Sequence, residues 1–116
     1  MTDTALVLIQ SNPLKSHRPV EALRIALGLI SGEIPVTIIL MNEAPRLLSD
    51  DTEDLVDGEI LQKYLPTLKT LNQPFHVEES SLEKTIGMDD PDYRIEKITL
   101  TQIADFMDHA DRFLIF

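Results

Sequence analysis

The stretch ALVLIQSNPLKSHRPVEALRIALGLISGEIPVTIILM (residues 5–41) decides the fold class, because two strand-like apolar runs enclose one helical segment. The runs ALVLIQ (5–10) and VTIILM (36–41) are apolar at successive positions, which is typical of strands that are buried on both faces of a parallel sheet. The segment between them has apolar residues at helical spacing, namely Val20, Leu23, Leu27 and Ile30. A strand, a helix and a second strand in this order indicate a βαβ unit.

The rest of the chain repeats this alternation. FHVEE (75–79) is predicted to be the third strand, the more polar RIEKI (94–98) an edge strand, and RFLIF (112–116) the last strand. Helices are predicted over 59–71, over the short segment SSLEKTIG (80–87) and over LTQIADFMDHA (100–110), and NEAPRLLS (42–49) is predicted to be a turn with a short helical piece. The pattern predicts an α/β fold with a five-stranded, mainly parallel sheet and helices on both faces, formed as a single domain over residues 1–116.

Three local features refine this prediction. Pro66 lies inside the helical segment 59–71 and is expected to kink or interrupt it. Asp57 is a candidate cap for that helix, at the end of the acidic segment DDTEDLVDGE (50–59), which lacks calcium-loop spacing and is expected to be a solvated turn. GMDDPDY (87–93) is expected to be a loop.

Composition and charge exclude several classes of function. The net charge of −10 opposes binding to a phosphate backbone, so we expect no nucleic-acid partner. The chain has no cysteine, which rules out disulfides, thiolate metal sites, cysteine nucleophiles and the carriage of a persulfide by this chain. No apolar run approaches the length of a membrane span, and the start shows no signal-peptide pattern, so a cytoplasmic protein without a membrane partner is expected.

Candidate site residues follow the strands, because ligands of parallel sheets bind beyond the carboxyl ends of the strands. The candidates for a ligand or partner cleft at that edge are Asn12, Asn42, His76, Glu78, Glu79 and Ser80. Each has a simpler structural explanation that stays open. Both asparagines suit turns, His76 and Glu78 form either an acid–base or metal pair or only a covered polar strand face, and the dipole of the next helix favours Glu79. The loop between the first strand and the first helix, QSNPLKSHRP (10–19), is where a phosphate-binding loop would lie. It contains no glycine, so no nucleotide cofactor is expected.

The segment SSLE (80–83) has the spacing of a capping box. Ser80 would be the N-cap residue, Glu83 would reach back to it, and the helix would begin at Ser81. This interpretation leaves Glu78 and Glu79 at the end of the strand.

Four segments together resemble the DsrE/DsrF-like family, which includes the TusB, TusC and TusD sulfur-relay subunits. They are EALRIALGLISGEIPVTIIL (21–40), MNEAPRLLSDD (41–51), HVEESSLEKTIG (76–87) and ITLTQIADFMDHADRFLIF (98–116). The resemblance implies a three-layer α/β/α sandwich with a five-stranded parallel sheet and assembly into trimers or hexamers. It also implies a sulfur-carrying cysteine at the end of the third strand, a position that falls on Glu78 or Glu79 in this chain.

The absence of this cysteine leads to two hypotheses about function. The first is a non-catalytic DsrE/DsrF-like subunit that assembles with itself or with paralogues in intracellular sulfur trafficking, without metal or cofactor. The alternative is a small-ligand-binding or enzymatic α/β domain that uses the strand-end cleft.

Overall fold

The computed structural model describes residues 4–49, 54–83 and 93–116. The strands are β1 (Ala5–Ile9), β2 (Val36–Leu40), β3 (Phe75–Glu78), β4 (Ile95–Ile98) and β5 (Arg112–Ile115). The α-helices are α1 (Arg18–Ser31), α2 (Gly58–Thr70), α3 (Glu79–Glu83) and α4 (Leu100–His109), and Ala44–Leu48 forms a 3-10 helix. The predicted loop residues 87–92, the end (84–87) of the predicted helix 80–87 and residues 50–53 of the acidic segment lie outside the described ranges.

The five strands form one sheet in the order β4-β3-β2-β1-β5, and every neighbouring pair is parallel. This arrangement confirms the predicted α/β fold class. The polar strand β4 is an edge strand, as its sequence predicts. The last strand, β5, is the opposite edge, and all four of its residues are exposed although three of them are apolar.

The two faces of the sheet are covered to different extents. The helices α1 and α2 and the 3-10 helix cover one face, where the larger cluster of buried residues includes Val7, Leu23, Ile38, Leu68 and Phe75. On the other face, α4 covers a smaller cluster formed by Leu6, Leu8, Ile39, Ile98 and Ile103. The apolar side of α4 faces inward, since Ile103, Phe106, Met107 and Ala110 all belong to or pack against this cluster.

The prediction that Pro66 interrupts α2 is wrong, and the predicted cap Asp57 is confirmed only by its position. Helix α2 continues through Pro66, which is exposed and lies after the helix has already formed two turns, so the loss of one backbone hydrogen bond does not interrupt it. Asp57 is the N-cap residue by position, but its backbone is left-handed (φ 60°) and its side chain makes no capping hydrogen bond.

Candidate functional site

The carboxyl ends of β2 and β3 lie next to each other, because Leu40 pairs with Val77 in the parallel register. The residues that follow these paired positions are Met41 and Asn42 after β2, and Glu78, Glu79 and Ser80 after Val77. The edge of the sheet therefore brings Asn42 and Glu78 into one region, as the sequence predicts.

Glu78 is buried at this edge, with 5% of its surface exposed. Its Oε1 accepts hydrogen bonds from the Ser80 N–H at 3.0 Å and from the Ser80 hydroxyl at 2.8 Å. Its Oε2 accepts from the Ser81 N–H at 2.9 Å and from the Ser81 hydroxyl at 2.7 Å. The Glu78 side chain thus binds the free N–H groups in the first turn of α3, which is the role of an N-cap residue.

This geometry corrects the predicted capping box. Helix α3 begins at Glu79, two residues earlier than predicted, and Ser80 lies inside it as a donor to Glu78. A glutamate reaches the N–H groups from one residue before the helix because its longer side chain folds back over the turn. The spacing of SSLE therefore suggested the wrong capping residue.

The hydrogen bonds also determine the charge state of Glu78. Donation from the Ser80 hydroxyl, with further donation from Ser81 and from the two backbone N–H groups, lowers the pKa of Glu78 from 4.5 to about 2, against the opposing effect of burial. Glu78 is therefore a fixed carboxylate at neutral pH. A general base needs a pKa near the working pH, so this carboxylate is poorly suited to proton transfer.

Ser81 connects Glu78 to the neighbouring strand end. Its hydroxyl donates to Glu78 and accepts a hydrogen bond from the backbone N–H of Asn42 at 2.8 Å. Asn42 has a left-handed backbone (φ 59°), which asparagine tolerates better than most residues. The chain Asn42–Ser81–Glu78 thus fastens the end of β2 to the start of α3.

Asn12 and Glu79 take no part in this network. The Asn12 side chain accepts a hydrogen bond from the Leu14 N–H at 3.0 Å, and its carbonyl accepts from the N–H groups of Lys15 and Ser16, so Asn12 makes the turn that its sequence context favours. Glu79 is exposed in the first turn of α3, where the helix dipole favours an acidic side chain.

His76 lies on the face of the sheet that α4 covers, and it contacts residues other than Glu78. Its ring packs against Phe106, with 4.9 Å between the ring centroids, and its Nδ1 lies 3.4 Å from a carboxylate oxygen of Glu96 without forming a hydrogen bond. Burial lowers the pKa of His76, while the charge of Glu96 partly opposes this shift. His76 is therefore the covered polar strand residue of the simpler explanation.

Within the described ranges, no three His, Cys, Asp or Glu side chains come close enough to hold a metal ion.

Sequence reasoning missed a groove beside α4. The side chains of Gln102, Asp105, Phe106 and His109 line an open volume of about 360 Å³. A smaller neighbouring volume of about 170 Å³ shares Phe106 and His109 and extends to the starts of β1 and β2. Among the described residues, α4 is the helix that packs on this face, and no periodicity in the sequence shows how many helices cover each face.

Comparisons with known proteins agree with this architecture. The model of the DsrE/DsrF-like family matches residues 3–116. The crystal structure of the ychN protein from E. coli is similar, with a TM-score of 0.80, 22% sequence identity, and coverage of 99% of this chain and 100% of that chain. No curated protein matches the sequence significantly. In the described part of the chain, every helix is too short or too polar to span a bilayer.

Proposed function

The chain belongs to the DsrE/DsrF-like family, and on this premise we propose that it is a non-catalytic subunit of intracellular sulfur trafficking. In this role it acts in the cytoplasm and assembles with itself, as a trimer or hexamer, or with cysteine-bearing paralogues. Its contribution is structural, and the sulfur is carried by a partner.

The proposal rests on the position and the hydrogen bonds of Glu78. The family resemblance puts a sulfur-carrying cysteine at the end of the third strand, and Glu78 is the last residue of β3. Sulfur carriage as a persulfide requires a thiolate, and the chain has no cysteine. Glu78 instead uses both carboxylate oxygens to bind Ser80 and Ser81, which supports a structural role for this position.

The same contacts argue against the alternative of a ligand-binding or enzymatic cleft. The polar groups of Glu78, Ser80 and Ser81 at the end of β3 already bind one another. A ligand at this position would have to replace these hydrogen bonds, and the exchange would return little free energy.

Co-expression with a cysteine-bearing family member from the same genome tests the proposal. Native mass spectrometry should find complexes that contain this 13.1 kDa chain, either in several copies or together with the paralogue. After treatment with a persulfide donor and an alkylating reagent, the added sulfur should be found on the paralogue alone. A chain that remains monomeric and binds no paralogue at any concentration would overturn the proposal.

A further inference from the structure

The β5 edge of the sheet is unusually apolar for an exposed edge. Phe113, Leu114 and Ile115 are consecutive and leave 49%, 39% and 43% of their surfaces exposed. Soluble proteins commonly protect sheet edges with charged residues, proline or bulges. The opposite edge, β4, follows this rule, because Glu96 and Lys97 are two of its four residues.

The backbone of β5 also leaves hydrogen-bonding groups on its outer side. The N–H groups of Arg112 and Phe116 donate to the carbonyls of Thr4, just before β1, and Leu8, within β1. Because the direction of the backbone groups alternates along a parallel strand, the N–H and carbonyl groups of Phe113 and Ile115 point away from the sheet. The Ile115 carbonyl confirms this direction, since it accepts a hydrogen bond from the Arg18 side chain at 3.1 Å. A carbonyl oxygen accepts two hydrogen bonds, so it remains available to a further donor.

We propose that β5 is the contact surface for a second copy of this chain, which adds its own β5 antiparallel to the first about a two-fold axis at Leu114. In this register Phe113 of one copy pairs with Ile115 of the other, and their outward N–H and carbonyl groups exchange hydrogen bonds on both sides of the axis. The inference rests on the self-assembly part of the proposed function and specifies the surface and symmetry of one contact.

The side chains favour this register because it pairs the three exposed apolar residues, Phe113, Leu114 and Ile115, only with one another. Phe113 and Ile115 lie on the face of the sheet that α4 covers, since their partners on β1 are Leu6 and Leu8. Leu114 lies on the opposite face and would meet its own copy directly across the axis. Cross-strand pairs of aromatic and β-branched residues are among those that stabilise antiparallel strands.

The apolar side chains of β5 supply about a quarter of the area that a stable interface needs. The exposed parts of the three side chains amount to roughly 200 Å² per copy, judged from the 150–250 Å² that a whole aromatic side chain buries. A stable interface needs about 800 Å² per partner, so the backbone of β5 and neighbouring side chains such as Arg18 would have to contribute the rest. The net charge of −10 on each copy opposes association, and so does the approach of Arg112 to Arg18 of the other copy. Added salt should therefore strengthen this contact.

The absence of cysteine from the chain allows a sharp test. The variant Leu114→Cys places one thiol per copy on the two-fold axis, at a non-hydrogen-bonded position where the Cα atoms of opposing residues lie about 4.5 Å apart, within the range of a disulfide. With the mild oxidant diamide, Leu114→Cys should form a covalent dimer at least ten times faster than Leu71→Cys, a matched control at an exposed leucine (51%) at the end of α2. Equal rates for the two variants would overturn the inference.

A backbone variant provides an independent measurement. Phe113→Pro removes the outward N–H but keeps the hydrogen bonds between β5 and β1, a substitution that edge strands tolerate. Circular dichroism should show a folded protein, and sedimentation equilibrium should show at least tenfold weaker self-association than for the native chain. If the native chain assembles and Phe113→Pro assembles equally well, this interface is wrong while the proposed function stands. If the native chain neither self-associates nor binds a paralogue, both are wrong.

Discussion

Replacing Glu78 with glutamine should destabilise the fold through the charge rather than through the shape of the side chain. The native carboxylate accepts hydrogen bonds from two hydroxyls and two backbone N–H groups, and its pKa is lowered from 4.5 to about 2. At 1.36 kcal/mol per pKa unit, this shift corresponds to at most about 3 kcal/mol of stability at pH 7. Because the glutamine amide oxygen can still accept hydrogen bonds from part of this set of donors, the expected loss for Glu78→Gln is reduced to about 1–2 kcal/mol.

The pH dependence separates this mechanism from a simple packing defect. A lowered pKa stabilises the folded state fully above pH 4.5, and this stabilisation is lost as the pH falls from 4.5 through about 2. Urea unfolding at pH 7, 4.5, 3 and 2 should therefore show that the difference between the native chain and Glu78→Gln shrinks to a few tenths of a kcal/mol. Glu79→Gln, at the exposed neighbouring position, is the control and should change stability by less than about 0.5 kcal/mol. A difference for Glu78→Gln that stays constant over this pH range would refute the reasoning.

Three further predictions concern the same fold. Thr99→Ala should cost about 1 kcal/mol of unfolding free energy, because Thr99 and Gln102 form a reciprocal capping box at the start of α4, whereas the exposed Thr101→Ala should be nearly neutral in the same assay. Burial lowers the pKa of His76, so stability should be complete above pH 6.5 and decrease as the pH falls below it; thermal melts of His76→Gln should lose this part of the pH dependence, and an unchanged profile would contradict the assignment. In the folded state, a thiol reagent should label Glu79→Cys quickly and Glu78→Cys at least several times more slowly, because position 78 is buried and position 79 is exposed. Equal labelling rates would show that the side chain at position 78 is not buried.

The sequence was a good guide to the fold wherever a pattern extended over a whole element. The runs of apolar residues in β1 and β2 and the helical spacing of α1 and α4 reflect burial, and burial depends on the whole architecture. The apolar run RFLIF shows the limit of this rule, because an exposed edge strand and a buried strand have the same apolar pattern when their neighbours are unknown. Exposure of β5 is a property of the strand order, which the sequence pattern does not contain.

The candidate site was predicted only in part, because its details depend on side-chain reach. Residues Asn42 and Glu78 were correctly placed at the carboxyl edge of the sheet. The pairing of His76 with Glu78 was a plausible alternation argument, but Glu96 on β4 and Phe106 on α4 are the neighbours that the fold supplies. The capping role of Glu78 was missed because the pattern SSLE satisfies the usual capping rule two residues further along the chain.

The mass of the purified chain in solution tests the central claim most directly. If the chain is an assembling subunit whose strand-end position is structural, sedimentation equilibrium at physiological salt should find a multiple of 13.1 kDa, or a defined complex once the cysteine-bearing paralogue is added. A single 13.1 kDa species at every concentration, with and without that paralogue, would contradict the account.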